Sequence, residues 1–184
     1  MFLAVGQRNS NAPAKIKMSD SVAQHKADGP ASITCAVITV SDTRTTETDK
    51  GGALVCELLD SAGHRVVHRE IIKDEPAPMR ALIKSWQDDV QAILLTGGTG
   101  ITARDQTFET VEGLFTKPLP GYGELFRMLS YQEIGAAAML SRTTGGLVGK
   151  TVVLTMPGST AAVRLAMEKV ILPELNHLVQ QANK

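Results

Sequence analysis

Along the chain, apolar residues come in short clusters divided by polar stretches that carry glycine and proline, and the spacing inside each cluster identifies an element. Ile33, Cys35, Val37, Ile38 and Val40 make the β-branched run expected of a buried first strand. From about Gly52 the period changes: Leu54, Val55, Leu58, Leu59 and Ala62 recur at helical spacing until Gly63 stops them. Arg65 to Ile72 reads as a second strand, and Pro76 and Pro78 open a helix with Met79, Leu82, Ile83 and Trp86 on one face. Gln91 to Thr96 is a third strand, whose run Ala92-Ile93-Leu94-Leu95 suits burial on both faces. Helix is expected again over Gln106 to Leu114. After a loop with Pro118, Pro120 and Gly121, it resumes over Tyr122 to Ile134, with Leu125, Phe126, Leu129 and Ile134 to one side. Met139, Leu140 and Val148 fall in a less regular connection. Thr151 to Thr155 is a further buried strand, and a long helix runs on through Val163, Met167, Val170 and Ile171, to be kinked or divided at Pro173. Strands and helices that alternate in this way predict an α/β fold with a mostly parallel sheet and helices on both faces.

The first 32 residues do not fit that alternation. After Phe2, Leu3, Ala4 and Val5 they are polar and broken by Pro13 and Pro30, so residues 1–32 are expected to be a flexible tail and residues 33–184 a single α/β domain. The apolar opening is too short for a secretory segment, and no run has the length of a transmembrane helix. Lys plus Arg and Asp plus Glu are balanced at 19 each, without the electrostatic footprint of a nucleic-acid binder. The charge balance points to small-molecule or protein partners, and Cys35 and Cys56 are expected to be buried thiols, which fits a reducing, cytoplasmic setting.

Candidate chemistry gathers at strand ends, where open α/β sheets bind ligands. The third strand runs directly into Thr96-Gly97-Gly98-Thr99-Gly100, whose backbone N–H groups can turn toward phosphate, with Arg104 and Asp105 just beyond. The first strand ends in Ser41 and Asp42, with Arg44 and then Asp49 following; the last strand ends in Pro157-Gly158-Ser159. If these loops converge, Asp49 and Asp105 would hold a Mg²⁺ that bridges phosphate oxygens. Each acid also has a plainer reading, Asp49 as a turn residue and Asp105 as negative charge near a helix N-terminus. Two nucleotide motifs are set aside: Gly98, Gly100 and Ala103 follow the third strand, not the first, and Gly149-Lys150-Thr151 leads into a strand where a phosphate-binding loop leads into a helix. His25, His64, His68 and His177 are too scattered for zinc, and no hydrolase triad is evident.

LLTGGTGITARDQT, PGYGELFRMLS, the Ser141-Arg142 pair and MPGSTAAVR together resemble the MoaB/Mog family of molybdenum-cofactor biosynthesis proteins, over about Ile33 to Leu178. The wording around Gln106, with FRMLS and MPGST, is closer to the MoaB branch. The resemblance implies a three-layer α/β/α sandwich, assembled as a homo-oligomer (a trimer or a dimer of trimers), that binds molybdopterin and, in catalytic members, adenylylates it with Mg-ATP and releases pyrophosphate. It implies Asp49 and Asp105 as catalytic, magnesium-holding residues. Ser41, Asp42, Thr96 to Gly100, Arg104, Glu124, Ser141, Arg142, Pro157, Gly158 and Ser159 are implied to line the substrate site. Arg142 would bind an anion or pair with an acid at a subunit boundary. Retention of Asp49, Arg104 and Asp105 favours an enzyme; the alternative is a noncatalytic pterin-binding module acting in assembly or delivery, with other proteins of cofactor synthesis as partners.

Overall fold

A computed structural model describes residues 30–184. Its centre is a six-stranded sheet in the order β2-β1-β3-β6-β5-β4. β1 (Thr34–Val40), β2 (Arg65–Ile72), β3 (Ala92–Thr96) and β6 (Thr151–Met156) are parallel, while β5 (Gly145–Val148) and β4 (Lys117–Pro118) run antiparallel at one side. Alternate residues of the buried strands feed two cores. Cys35, Val37, Leu94 and Leu154 face α1 (Lys50–Ser61), α4 (Pro120–Ile134), α5 (Thr160–Ala166) and α6 (Leu172–Ala182), whereas Ala36, Ile38, Ile93 and Val153 face α2 (Pro76–Trp86) and α3 (Thr107–Glu112). Side chains with a period of two, apolar at both phases, thus produce the expected α/β/α sandwich.

The departures from the sequence reading have local causes. α1 starts at Lys50, before Gly52, because Asp49 caps it: Asp49 Oδ1 accepts from Gly52 N at 2.9 Å. α4 begins at Pro120, a residue assigned above to a loop; proline fits the first helical turn, where its missing N–H would have had no partner. β5 lies in the stretch expected to be irregular. Its Gly145 and Gly146 leave no side-chain period to read, and a Cβ on them would collide with Leu154 and Tyr122 or with Phe115. Gly149-Lys150 is the two-residue turn between β5 and β6, with Gly149 at φ 62°, which fits its exclusion as a phosphate loop.

The long helix is divided just before Pro173, as expected, and Pro173 takes the first turn of α6, where its missing N–H costs nothing. Residues Met167–Ile171 form a π turn in which Leu172 N donates to Met167 O, and α6 continues to Ala182. Both cysteines are free thiols, Cys35 buried and Cys56 half-buried. Burial pushes the Cys35 thiol up to about 12. The tail expected over residues 1–32 lies outside the described residues except for its end, where Pro30 O accepts from Asn176 and Ser32 Oγ donates to Gly63 O at 2.7 Å. No helix among the described residues is long and apolar enough to cross a membrane.

His64 sits in the turn before β2 and is 7% exposed; its Nδ1 accepts from Ile33 N at 3.3 Å. Burial lowers its pKa from 6.5, so the folded chain refuses a proton that the unfolded chain accepts. Stability is therefore expected to fall as pH drops below 6.5 toward the lower folded-state value, and this component should vanish in His64→Gln. Urea midpoints across that range, compared between wild type and variant, would check it.

Candidate functional site

Because β1, β3 and β6 are covered on both faces, their loops meet at the carboxyl edge of the sheet. The loop after β3 is pressed in from several sides. Gly97 N donates to Met156 O at 2.9 Å, and at φ 104° the residue lies so near Val40 O that a Cβ would overlap it. Gly98, at φ 63°, lies against the Asp74 carboxylate and the Thr107 hydroxyl, and Thr107 Oγ1 donates to Gly97 O at 3.0 Å. The glycines are thus required first by packing, whatever they later bind. Thr96 and Thr99 are buried; the Thr96 hydroxyl donates to Pro157 O at 3.2 Å, so it is engaged within the chain.

Two cavities open at this edge. The first, of about 330 Å³, is formed by Gly98, Thr99, Gly100, Asp105 and Ser141 on one side and Pro157 to Ser159 on the other, with an apolar annex that includes Phe126, Ile134 and Leu140. Asp105 Oδ2 accepts from Thr102 N at 2.9 Å and from Thr102 Oγ1 at 2.6 Å, while Oδ1 accepts no hydrogen bond from the described residues. The second cavity, about 370 Å³, is lined by Thr39, Ser41, Thr43, Arg44, Asp49 and Thr96, and shares Gly158 and Ser159 with the first. Ser159 also caps α5, its Oγ accepting from Ala162 N at 3.2 Å.

Asp49 is 3% exposed and held from three directions, by Gly52 N, by Thr39 Oγ1 at 2.7 Å and by Arg69 Nη2 at 3.0 Å. Burial pushes its carboxyl up, but the bonds from Gly52, Thr39 and Arg69 and the Arg69 charge outweigh it and leave the group below its ordinary range. Asp49 and Asp105 therefore line adjoining cavities. Among the described residues, no cluster of three or more His, Cys, Asp or Glu could hold a metal by itself.

Other expected site residues are occupied with one another. Arg104 donates from Nε to Asp42 Oδ2 at 2.6 Å and from Nη2 to Asp42 Oδ1 at 2.8 Å; this pairing holds the Asp42 carboxyl down at about 2, with a smaller opposing contribution from burial. Neither residue lines either cavity. Arg142, expected to meet an anion or an acid across a subunit boundary, pairs with Glu109 of its own chain. It also donates to Gly100 O at 2.6 Å and Asp105 O at 2.9 Å, and its guanidinium lies 5.4 Å from the Phe108 ring centre. It is a staple across the glycine loop. Ser141 shares a hydroxyl hydrogen bond of 2.7 Å with Thr143, and Glu124 is exposed on α4 and lines neither cavity.

Sequence reasoning missed Arg69, Asp74, Thr107 and Glu109. Asp74 is buried just past the end of β2, where the strand-end rule would have found it. Its Oδ1 accepts from Gln106 N at 3.1 Å and its N–H donates to Asp42 Oδ1 at 3.2 Å, joining the loops after β1 and β3. Burial raises its pKa, helped by the charges of Asp105 and Asp42 and opposed by the Gln106 N–H and by Arg104.

A family model described as a probable molybdopterin binding domain matches residues 36–177. Among curated relatives, Molybdenum cofactor biosynthesis protein B of Bacillus subtilis is 52% identical over 167 residues, covering 89% of this chain and 98% of that protein; the Bacillus cereus protein of the same name is 50% identical, with 89% and 99% covered. A crystal structure of Molybdenum cofactor biosynthesis protein B superposes with a TM-score of 0.81 at 51% identity, over 84% of this chain and 98% of the other. The tungsten cofactor synthesizing protein MoaB from Pyrococcus furiosus gives 0.76 at 36% identity, over 84% and 99%.

Gly97→Ala combines a left-handed backbone with a methyl group against Val40 O. It is expected to destabilise the fold by at least about 2 kcal/mol. A lowered urea midpoint with an unchanged denaturant slope would report it.

Proposed function

We propose a function from one premise: the chain belongs to the molybdopterin-binding domain family of molybdenum cofactor biosynthesis proteins. The reading is that it binds molybdopterin and ATP side by side and adenylylates the pterin. The observation that carries it is the pair of cavities sharing the Gly158 and Ser159 wall, with one acid in each. A terminal phosphate oxygen of molybdopterin would form a bond to the α-phosphorus of ATP while the bond to the β-phosphate oxygen breaks, and pyrophosphate would leave. Such a transfer needs alignment and charge neutralisation, with no covalent role for a side chain.

Asp49 and Asp105 suit magnesium, a hard cation that takes one or two carboxylates and fills its remaining positions with phosphate and water. The donor atoms fit: among the described residues, Asp105 Oδ1 has no partner and Asp49 Oδ1 accepts only from Gly52 N. When bound, the ion would supply neutralisation of the phosphate oxygens. The glycine loop, stapled by Arg142, would hold phosphate in register, and the annex with Phe126, Ile134 and Leu140 offers apolar surface to a flat ring. A binding-only module is the second reading. It is favoured by how fully Asp49, Arg104 and Arg142 are already engaged within the chain.

We also propose a homo-oligomer, a trimer or hexamer as the family implies. α4 buries Tyr122 and Phe126 yet exposes Leu125, Met128, Tyr131 and Ile134, and Met139 just beyond it is 77% exposed. A helix apolar on its outer as well as its inner side is one that another surface covers.

With molybdopterin and Mg-ATP the wild type is expected to release pyrophosphate, and Asp105→Ala to lower that rate by at least about 100-fold with its thermal midpoint nearly unchanged. Tight pterin binding without any pyrophosphate from the wild type would leave the module reading in place. Light scattering during gel filtration should give a multiple of the 19.6 kDa chain mass for the wild type, and a smaller species for a Met128→Asp, Tyr131→Asp variant.

A further inference from the structure

We infer that the cavity beside Asp49 is a polyphosphate site, and that Arg44 is the cation that reads it. The inference rests on the adenylylation reading only for the larger molecule to which the polyphosphate belongs.

Among the described residues, most arginines around the carboxyl edge of the sheet are already engaged. Arg69 is matched by Asp49, Arg104 by Asp42, and Arg142 by Glu109. Arg127 gives its Nη1 to the Ser141 and Thr143 carbonyls and lines neither cavity. Arg44 lines the second cavity and has no carboxylate partner there; Nη1 donates to Thr48 O at 3.0 Å, and its other N–H groups have no acceptor among the described residues. Since Arg69 neutralises Asp49, Arg44 leaves the cavity with net positive charge.

The loop that carries Arg44 is built in advance. Ser41 Oγ accepts from Thr43 N at 3.3 Å and from Arg44 N at 3.1 Å; Thr48 Oγ1 accepts from Thr45 N at 2.8 Å; Thr45 O accepts from Asp49 N at 2.9 Å. A guanidinium on such a loop loses little freedom when it closes on an anion, and its planar fork matches two phosphate oxygens at once. The lining is suited to the same ligand: Ser41, Thr43 and Ser159 bring hydroxyls, and no aromatic ring is present to hold a base or pterin. The neighbouring cavity has Phe126 and the apolar annex instead. At about 370 Å³ the second cavity has room for more than one phosphate. The shared wall at Gly158 and Ser159 would let a chain of phosphates pass from one cavity to the other.

Calorimetric titration of the full chain with sodium pyrophosphate tests this. The wild type should bind it more tightly than orthophosphate, which stands for the single terminal phosphate of the pterin. Arg44→Gln should weaken pyrophosphate binding about tenfold or more, Arg44→Lys should fall between, and Arg164→Gln, on an exposed arginine of α5, should match the wild type. Saturating pyrophosphate should also exclude ATP. Thermal melts would confirm that the variants fold, as expected for an exposed loop residue. The assignment is overturned if the wild type does not bind pyrophosphate, if Arg44→Gln binds it as well as the wild type does, if orthophosphate binds equally tightly, or if ATP and pyrophosphate bind together. Arg44-dependent pyrophosphate binding without any AMP transfer to molybdopterin would support the anion site while removing the adenylylation reading.

Discussion

Burial of β1, β3 and β6 on both faces is the constraint from which the rest follows. A strand covered above and below can present chemistry only at its ends, and in a parallel set the carboxyl ends lie together. The loops after β1, β3 and β6 are therefore forced into one small region, and they must fit there without side chains in the way. The missing Cβ atoms of Gly97 and Gly98 let the β3 loop slide between Val40 and Asp74, and Gly51 lets the first turn of α1 approach Gly158. A glycine pattern that resembles a ligand motif is in this chain also the condition for three loops to occupy one edge.

Crowding of loops brings crowding of charge, and the edge is arranged so that most charges cancel. Asp42 with Arg104, Asp49 with Arg69 and Glu109 with Arg142 each join segments distant in the chain. The Asp42–Arg104 and Glu109–Arg142 pairs are partly exposed and contribute little stability individually, whereas Asp49 is buried; all three fix which loop lies against which. Asp74 joins the β1 and β3 loops, its backbone N–H donating to Asp42 and its buried carboxylate accepting from Gln106 N. Against that background the Arg44 guanidinium, which faces a cavity without a carboxylate partner among the described residues, is conspicuous, as is Asp105 Oδ1.

Much of this was legible in the sequence, and the exceptions have reasons. β2 was read with its bounds intact, since Gly63 stops the preceding helix and Pro76 opens the next. The three candidate loops converge as the strand-end rule requires. Asp49 and Asp105 do reach neighbouring cavities, yet each also has a structural task other than the plainer one expected: Asp49 caps α1, and Asp105 closes a turn on Thr102. Partner choice was not legible: Asp42 and Arg104 were both singled out as ligand contacts, and nothing in a linear reading says that residues 62 positions apart will satisfy each other. β5 escaped because two of its residues have no side chain, and Glu124 was placed by resemblance to a motif, with no geometric support in the chain.

The π turn at Met167–Ile171 has a consequence for how the last helix is phased. A regular helix that buries Val163, Met167 and Val170 would next turn residues near 174 and 177 inward, at about 3.6 residues per turn. In this chain those positions are Glu174 and His177, and the buried residues are Leu175 and Val179, one step later. The wide turn absorbs that step. It works as a spacer in the apolar rhythm, the intramolecular counterpart of an insertion that shifts register in a coiled coil. Loss of one residue there would leave the composition of the helix almost untouched, yet rotate its final turns by about 100°. The carboxylate and the imidazole would then face the sheet, and the leucine and valine would face water.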